Sequence, residues 1–292
     1  MKKCLITGAT GLIGSQLLEY LNQNWSIVAL SRNSIPSYPT VKTIDIDLSK
    51  PWSRDILPEK IDAVIHLAQS EHFREFPQKS EHIFQVNTST TLQLIDRAIQ
   101  ANAKVFVLAS TGGVYGFGDE PFGEDTSINS ASNLGFYAST KLCSEILVNN
   151  YKSLIDIVIL RFFFVYGRGQ RKTMLIPRLV RSVLQEQPII LQGSDGIRVN
   201  PIHVSDAAKA IVRSLSLKGS YTINIAGSEI LSLRQIGETI ATTVKKEPIF
   251  EVQMDKTPQN ILGDNSRMKK LLHDPEINFL EGIKDVVRSE TN

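Results

Sequence analysis

The chain has 292 residues, 42% of them hydrophobic and 21% charged, with a formal net charge of +2. That is an ordinary globular composition, long enough for one large domain or two smaller ones. The weak charge gives no reason to expect nucleic acid or an anionic membrane as a partner, no apolar run approaches a membrane span, and Cys4 and Cys143 alone make no disulfide framework.

Met1, Lys2 and Lys3 lead straight into an apolar strand, Cys4–Thr7, rather than into a signal peptide, so a cytoplasmic protein is expected. Gly8, Gly11 and Gly14 follow, spaced by three, ahead of a helical pattern at Leu12–Asn22. Gly8 allows a tight turn, Gly11 removes the Cβ that would hold a phosphate off the backbone, and Gly14 lets the helix pack close on the strand. The helix start then offers N–H donors and a positive partial charge to an anion. The spacing is a variant of the dinucleotide fingerprint G-x-G-x-x-G, so a pyrophosphate is expected there.

Further apolar runs lie at Ile27–Leu30, Val41–Ile46, Ala63–Leu67, Val105–Ala109 and Ile155–Arg161, with helical patterns at His82–Asn102 and Phe136–Tyr151. Nearly continuous apolar strands alternating with helices predict an α/β fold, a doubly wound parallel sheet of the Rossmann type. After Tyr166 the pattern changes: helices at Met174–Gln185, Ser205–Leu217 and Leu233–Val244, strands near Ile189, at Ile197–Ile202 and at Tyr221–Ile225, and a mixed last fifty residues. This predicts a dinucleotide-binding domain over 1–165, with a returning segment near 203–226, and a smaller α+β, mainly substrate-binding domain over 166–292.

Two stretches carry chemistry. Tyr137 and Lys141, four apart in the helix at Phe136, share one face. A lysine ammonium beside a phenol favours phenolate, lowers the tyrosine pKa and makes an acid/base group for a carbinol or carbonyl. In Leu108–Gly116 a strand runs into Ser110, Thr111, Gly112 and Gly113, placing Thr111 where a strand end borders the ligand crevice of such a sheet. The histidines lack metal-ligand spacing: His66 and His203 sit in apolar surroundings and read as structural, His72, His82 and His273 as peripheral, and no metal is assigned.

The order of these motifs resembles the extended short-chain dehydrogenase/reductase family, with its nucleotide-sugar epimerases, dehydratases and ketoreductases. Thr7–Gly14 matches T-G-x-x-G-x-x-G, His66-Leu67-Ala68 resembles H-x-A, and Asn87 matches the asparagine of the next helix. Thr111 stands where the family keeps its catalytic Ser or Thr, and Tyr137 with Lys141 fills Y-x-x-x-K. Arg161 with Val165–Gln170 resembles R-x-x-N-V-Y-G-P-G-Q, Ile202–Ala208 resembles I-H-V-x-D-x-A, and Tyr221–Gly227 the late Y-N-I-G-G strand. The resemblance implies that Tyr137 donates and accepts the proton, that Lys141 tunes it and holds the nicotinamide ribose, and that Thr111 binds the reacting oxygen. It also implies cofactor contacts from Gly8, Thr10, Gly11, Leu12, Ile13 and Gly14, from Ser31 and Arg32, from Asp47 and Leu48, from Leu67 and Ala68, and from Asn87, Tyr137 and Lys141. Substrate contacts are implied for Thr111, Phe164, Arg168 and Arg198.

The acid expected after the second strand for the ribose of NAD is absent from Leu30-Ser31-Arg32-Asn33, and Arg32 suits a 2′-phosphate. NADP(H) is therefore the preferred cofactor, with NAD(H) possible. Gly112-Gly113 stand where dehydratases of the family carry Asp-Glu, which disfavours dehydration. The reading is an NADPH-linked 4-ketoreductase of a nucleotide sugar. The alternatives are an NAD-dependent 4-epimerase and a reductase of another small carbonyl compound. Phe164 replaces the family's Asn, Arg168 its Pro, and Val199 stands at its Arg with Arg198 displaced by one. A homodimer through the two long helices is expected by the same resemblance.

Overall fold

The computed structural model describes residues 1–33, 35, 38–128 and 134–291. Its strands are β1 (Lys2–Thr7), β2 (Trp25–Ser31), β3 (Val41–Asp45), β4 (Ala63–His66), β5 (Val105–Thr111), β6 (Asp156–Phe162), β7 (Val165–Tyr166), β8 (Ile189–Gln192), β9 (Arg198–Val199), β10 (Ile202–His203), β11 (Tyr221–Ile225), β12 (Leu231–Ser232) and β13 (Phe250–Gln253). Its helices are α1 (Leu12–Leu21), α2 (Ser80–Phe84), α3 (Thr90–Gln100), α4 (Phe136–Asn149), α5 (Leu175–Leu184), α6 (Val204–Ser214), α7 (Leu233–Val244), α8 (Ser266–Leu271) and α9 (Phe279–Thr291).

These form two compact units. The first comprises Met1–Val114, Ser127–Arg161 and Ala208–Ile223; the second comprises Tyr115–Thr126, Phe162–Ala207 and Asn224–Asn292. The first is built on a seven-stranded sheet in the order β11-β6-β5-β4-β1-β2-β3, with β4–β1, β1–β2, β2–β3 and β4–β5 parallel. The order turns outward in both directions from the β1/β4 pair, the switch point where a doubly wound sheet leaves a crevice. The strands are apolar because helices cover both faces: Leu5, Val64, Phe106 and Ile159 pack with Leu94, Ile95 and Ala98 of α3 in one buried cluster.

The helix expected over His82–Asn102 is interrupted by a π-helical turn, Gln85–Ser89, between α2 and α3. Side-chain hydroxyls cause it: Thr91 Oγ1 (2.6 Å) and Ser144 Oγ (2.7 Å) both donate to the Asn87 carbonyl, displacing the regular ladder there.

In the second unit Tyr166, Val180, Val199, Ile236 and Ile283 form a separate core under α5, α7 and α9. The strand expected over Ile197–Ile202 is split, because Pro201 has no N–H to continue a ladder: β9 pairs antiparallel with β12 and β10 parallel with β7. Segment Tyr115–Thr126 joins this unit rather than the first. The Tyr115 hydroxyl donates to Asn224 Oδ1 at 2.9 Å, and its ring stacks on Phe122 at 5.1 Å.

Candidate active site

The turn after β1 is closed around its glycines. Gly8 has φ +72°, and a Cβ there would stand 2.8 Å from the Ala68 nitrogen. A Cβ at Gly14 would overlap the Gly8 carbonyl, whereas one at Gly11 would meet only that carbonyl, at 3.2 Å. Gly11 is also the N-cap of α1, and no side chain caps the helix. A cradle that only a missing Cβ keeps open, under uncapped backbone N–H groups, fits a dinucleotide pyrophosphate. Leu12 and Ile13 are the helix residues there whose backbone would meet it; Thr10 is exposed at the rim.

Behind the cradle runs a chain of buried hydrogen bonds. Thr91 Oγ1 spends its proton on the Asn87 carbonyl, so it accepts from His66 Nε2–H at 3.0 Å, and His66 Nδ1 then accepts from Thr7 Oγ1 at 2.7 Å. Thr7 Oγ1 in turn accepts from the Ala68 N–H at 3.1 Å. This ties the ends of β1 and β4 to α3. Burial first, and the nearby Lys141 charge second, push the His66 pKa down to about 3, so the ring stays neutral. His66 is a structural link, as the sequence suggests.

The Asn87 side chain is used in the same way. Its Oδ1 accepts from the Ser70 N–H at 2.9 Å, and its Nδ2 donates to Thr140 Oγ1 at 2.9 Å. Thr140 Oγ1 donates onward to the Tyr137 carbonyl at 2.8 Å, and Thr88 Oγ1 donates to the Thr140 carbonyl at 3.2 Å. The π-turn thus grips α4 between Tyr137 and Lys141.

The groups expected to react lie at and beside the carboxyl end of β5. Thr111 closes the strand, its Oγ1 accepting from the Gly113 N–H at 3.1 Å. The half-buried Tyr137 hydroxyl donates to Gln69 Oε1 at 2.7 Å, and its ring lies 5.3 Å from that of Phe73. Burial pushes the phenol pKa up, and the Thr111 hydroxyl offsets only part of this. Burial also pushes Lys141 down to about 8, with the Glu145 charge acting against it. Burial of the phenol thus works against the depression expected from Lys141.

At the end of β2, Ser31 Oγ closes a local turn on the Asn33 carbonyl at 2.9 Å. Arg32 does not reach into solvent alone. Its Nη1 pairs with Glu71 Oε1 at 2.8 Å, and the Asp47 charge also acts on it. Asp47 is held below the ordinary carboxylate range chiefly by the Ser49 hydroxyl, which donates at 2.7 Å. Leu48 turns into the core, whereas Leu67 and Ala68 stay half-buried along the loop after β4. His72 and His82, expected to be peripheral, stand beside Glu71, with one donor atom of each of the three within 4.8 Å of the others.

The other residues expected to contact substrate belong to the second unit. Phe164 is half-buried and has φ +43°, a left-handed conformation that asparagine tolerates and a bulky side chain resists. Arg168 is exposed after β7. Arg198 is tied down: its Nη2 donates to the Asp119 carbonyl at 2.6 Å.

The model of the NAD dependent epimerase/dehydratase family matches residues 4–226, across all of these motifs but Gly227, the final residue of the last one. The chain belongs to that family. It is 31% identical over 309 residues to an uncharacterized UDP-glucose epimerase, YtcB, of Bacillus subtilis, covering 98% of this chain and 96% of the relative. It is 30% identical over 307 residues to the UDP-glucuronate 4-epimerase of Thermodesulfobacterium geofontis, covering 97% and 94%. The crystal structure of the Bacillus cereus UDP-glucuronic acid 4-epimerase with UDP-glucuronic acid and NAD superimposes with a TM-score of 0.86 at 26% identity, covering 99% of both chains.

As a member of this family the protein is an oxidoreductase/epimerase enzyme with a two-domain Rossmann architecture. The relatives favour the 4-epimerase alternative over the NADPH-linked ketoreductase expected from Arg32, and the structural relative holds NAD. No helix among the described residues is long and apolar enough to cross a membrane. Gln69, Glu71, Glu145 and Arg161 are the site residues that sequence reasoning passes over as ligands or partners. Gln69 adjoins the His-Leu-Ala motif and Glu145 lies one turn past Lys141, which were the available signals.

Proposed function

We propose that the protein is an NAD-dependent 4-epimerase of a UDP-hexose or UDP-hexuronate. The observation that carries this reading is the Thr111 hydroxyl acting on the Tyr137 phenol at the carboxyl end of β5, with Lys141 one turn further along α4, on the sheet that also holds the glycine cradle. NAD, when bound, supplies a hydride acceptor and donor for C4 of the sugar. The chain's residues do the rest. The Tyr137 oxygen, as a phenolate once its own proton has passed to solvent, takes the proton of the C4 hydroxyl as the carbinol becomes a ketone, and returns it when the carbinol re-forms with the opposite configuration. Thr111 Oγ1 holds the same oxygen. Lys141, near the edge of its charged state, assists the phenolate only while it carries a proton.

Two further features support epimerisation. Gly112 and Gly113 supply no carboxylate for eliminating water, and the Arg32–Glu71 pair leaves Arg32 poorly placed to demand a 2′-phosphate. Gly8, Gly11, Gly14 and the α1 start would hold the pyrophosphate, with Asp47, Leu67 and Ala68 around the rest of the dinucleotide. Of the two arginines expected at the sugar diphosphate, Arg168 is the exposed one, whereas Arg198 would have to leave Asp119 to reach it. A homodimer through α3 and α4 follows from the same reading; Leu92 and Ile146 are exposed on these helices.

The test is to incubate the purified enzyme with UDP-glucuronate or UDP-glucose, with and without added NAD, and to follow the C4 epimer by proton NMR. Interconversion without net change in the nucleotide is expected. Failure with both sugars, alongside NADPH oxidation by a UDP-4-keto sugar, would restore the ketoreductase reading.

A further inference from the structure

We propose that Glu71 sets the cofactor preference of this enzyme, supplying from the loop after β4 the carboxylate that the end of β2 lacks; this rests on the NAD reading above. The topology brings it there. β2 and β4 flank β1 in the sheet, so Arg32, the first residue past β2, and Glu71, five past β4, meet across the carboxyl end of β1 and its glycine turn. The Arg32–Glu71 contact is 2.8 Å long and joins residues 39 apart in sequence, which is why the motif that reads the β2 end alone misses it.

Arg32 already faces two carboxylates. Glu71 binds its guanidinium directly, and Asp47 acts on it from just past the end of β3. A ribose 2′-phosphate, carrying about −1.5 to −2 charges, would have to take Arg32 from Glu71 and then lie against both carboxylates. A ribose with free hydroxyls meets carboxylate acceptors instead. His72 and His82 also face Glu71, and burial holds His82 towards its neutral form, so it adds little positive charge.

Nor is Glu71 placed by chance. The backbone on either side is pinned, by Ser70 N–H to Asn87 Oδ1 at 2.9 Å and by His72 N–H to Ser70 Oγ at 3.1 Å. Ser70 Oγ is further bonded to His82 Nδ1 at 2.8 Å. The Asn87 that grips α4 beside Lys141 therefore also holds the backbone next to Glu71.

The experiment is a fluorescence titration of nucleotide-stripped protein with NADH and with NADPH, for wild type, Glu71→Gln, Arg32→Ala and the double variant, each checked for fold by circular dichroism. Wild type is expected to bind NADH more tightly. Glu71→Gln is expected to move the NADPH-to-NADH affinity ratio on the order of tenfold towards NADPH, the effect of one unit charge at a partly exposed separation of a few ångströms. The double variant is expected to lose that gain, since Arg32 is the group released. A folded Glu71→Gln with the wild-type ratio overturns the role of Glu71 and leaves the NAD reading standing. A gain that survives in the double variant overturns the route through Arg32. Wild type preferring NADPH overturns the NAD reading itself.

Discussion

Arg161 holds the Glu145 carboxylate from both ends of its fork, Nη2 to Oε2 at 2.6 Å and Nε to Oε1 at 3.0 Å and Oε2 at 3.2 Å, with both side chains buried. Ser110 Oγ donates to the same carboxylate. Ser110 precedes Thr111 on β5, Glu145 follows Lys141 by one turn of α4, and Arg161 lies near the end of β6. One buried ion pair therefore joins the three elements that carry or border the groups proposed to react. Arg161→Met leaves a buried carboxylate without its partner and should destabilise the fold by about 3–5 kcal/mol. Pairing it with Glu145→Leu should recover much of that loss, while activity stays low because Thr111 and Lys141 lose their common anchor. Urea melts of the three proteins decide this, and a loss under about 1 kcal/mol for Arg161→Met contradicts it.

Tyr137→Phe removes the hydroxyl proposed to move the proton and leaves the ring against Phe73. Turnover should fall roughly 10²–10⁴-fold, the usual worth of a positioned acid/base group. Retained nucleotide, measured after denaturation of the purified protein, should be unchanged. A variant turning over at the wild-type rate excludes Tyr137 from the chemistry.

The two glycines at the start of α1 should separate folding from binding. An alanine methyl at Gly11 meets only the Gly8 carbonyl, at 3.2 Å, so Gly11→Ala should fold with little change in Tm yet lose bound nucleotide. Gly14→Ala drives the methyl into the turn itself and should cost both. Equal nucleotide content in wild type and Gly11→Ala would place the pyrophosphate elsewhere.

His66 makes stability depend on pH. Its folded-state pKa is depressed to about 3 from an ordinary 6.5, so between these values the unfolded chain takes up a proton that the native protein refuses. Its contribution is fully present above pH 6.5 and is lost on acidification through this window, by up to about 1.4 kcal/mol per pH unit. Denaturant melts from pH 7 to 4 should fall more steeply for wild type than for His66→Gln. Parallel curves would mean that the ring takes up a proton in the folded protein.

The dimer proposal is checked by light scattering with wild type and Ile146→Glu, on the exposed face of α4. Wild type should show twice the chain mass, and the charged variant should shift towards one chain because a carboxylate cannot be buried unpaired in an apolar contact. A wild-type monomer ends that proposal.

The sequence by itself determined the alternating strands and helices, the glycine turn and the Thr111, Tyr137 and Lys141 positions. Each of these is local: a period of two or 3.6, a missing Cβ, or two side chains four apart on one helix face. It could not show that Arg32 meets Glu71, that Asn87 reaches Thr140, or that Glu145 closes on Arg161, because those pairs are 39, 53 and 16 residues apart and belong to different elements. The π-turn at Gln85–Ser89 and the break at Pro201 were hidden for a related reason: the first needs hydroxyls from two helices, and the second depends on which strand lies alongside. Only the tertiary structure decided the charge around Arg32 and the burial around Tyr137, since both are set by what the fold packs against a residue, not by its neighbours in the chain.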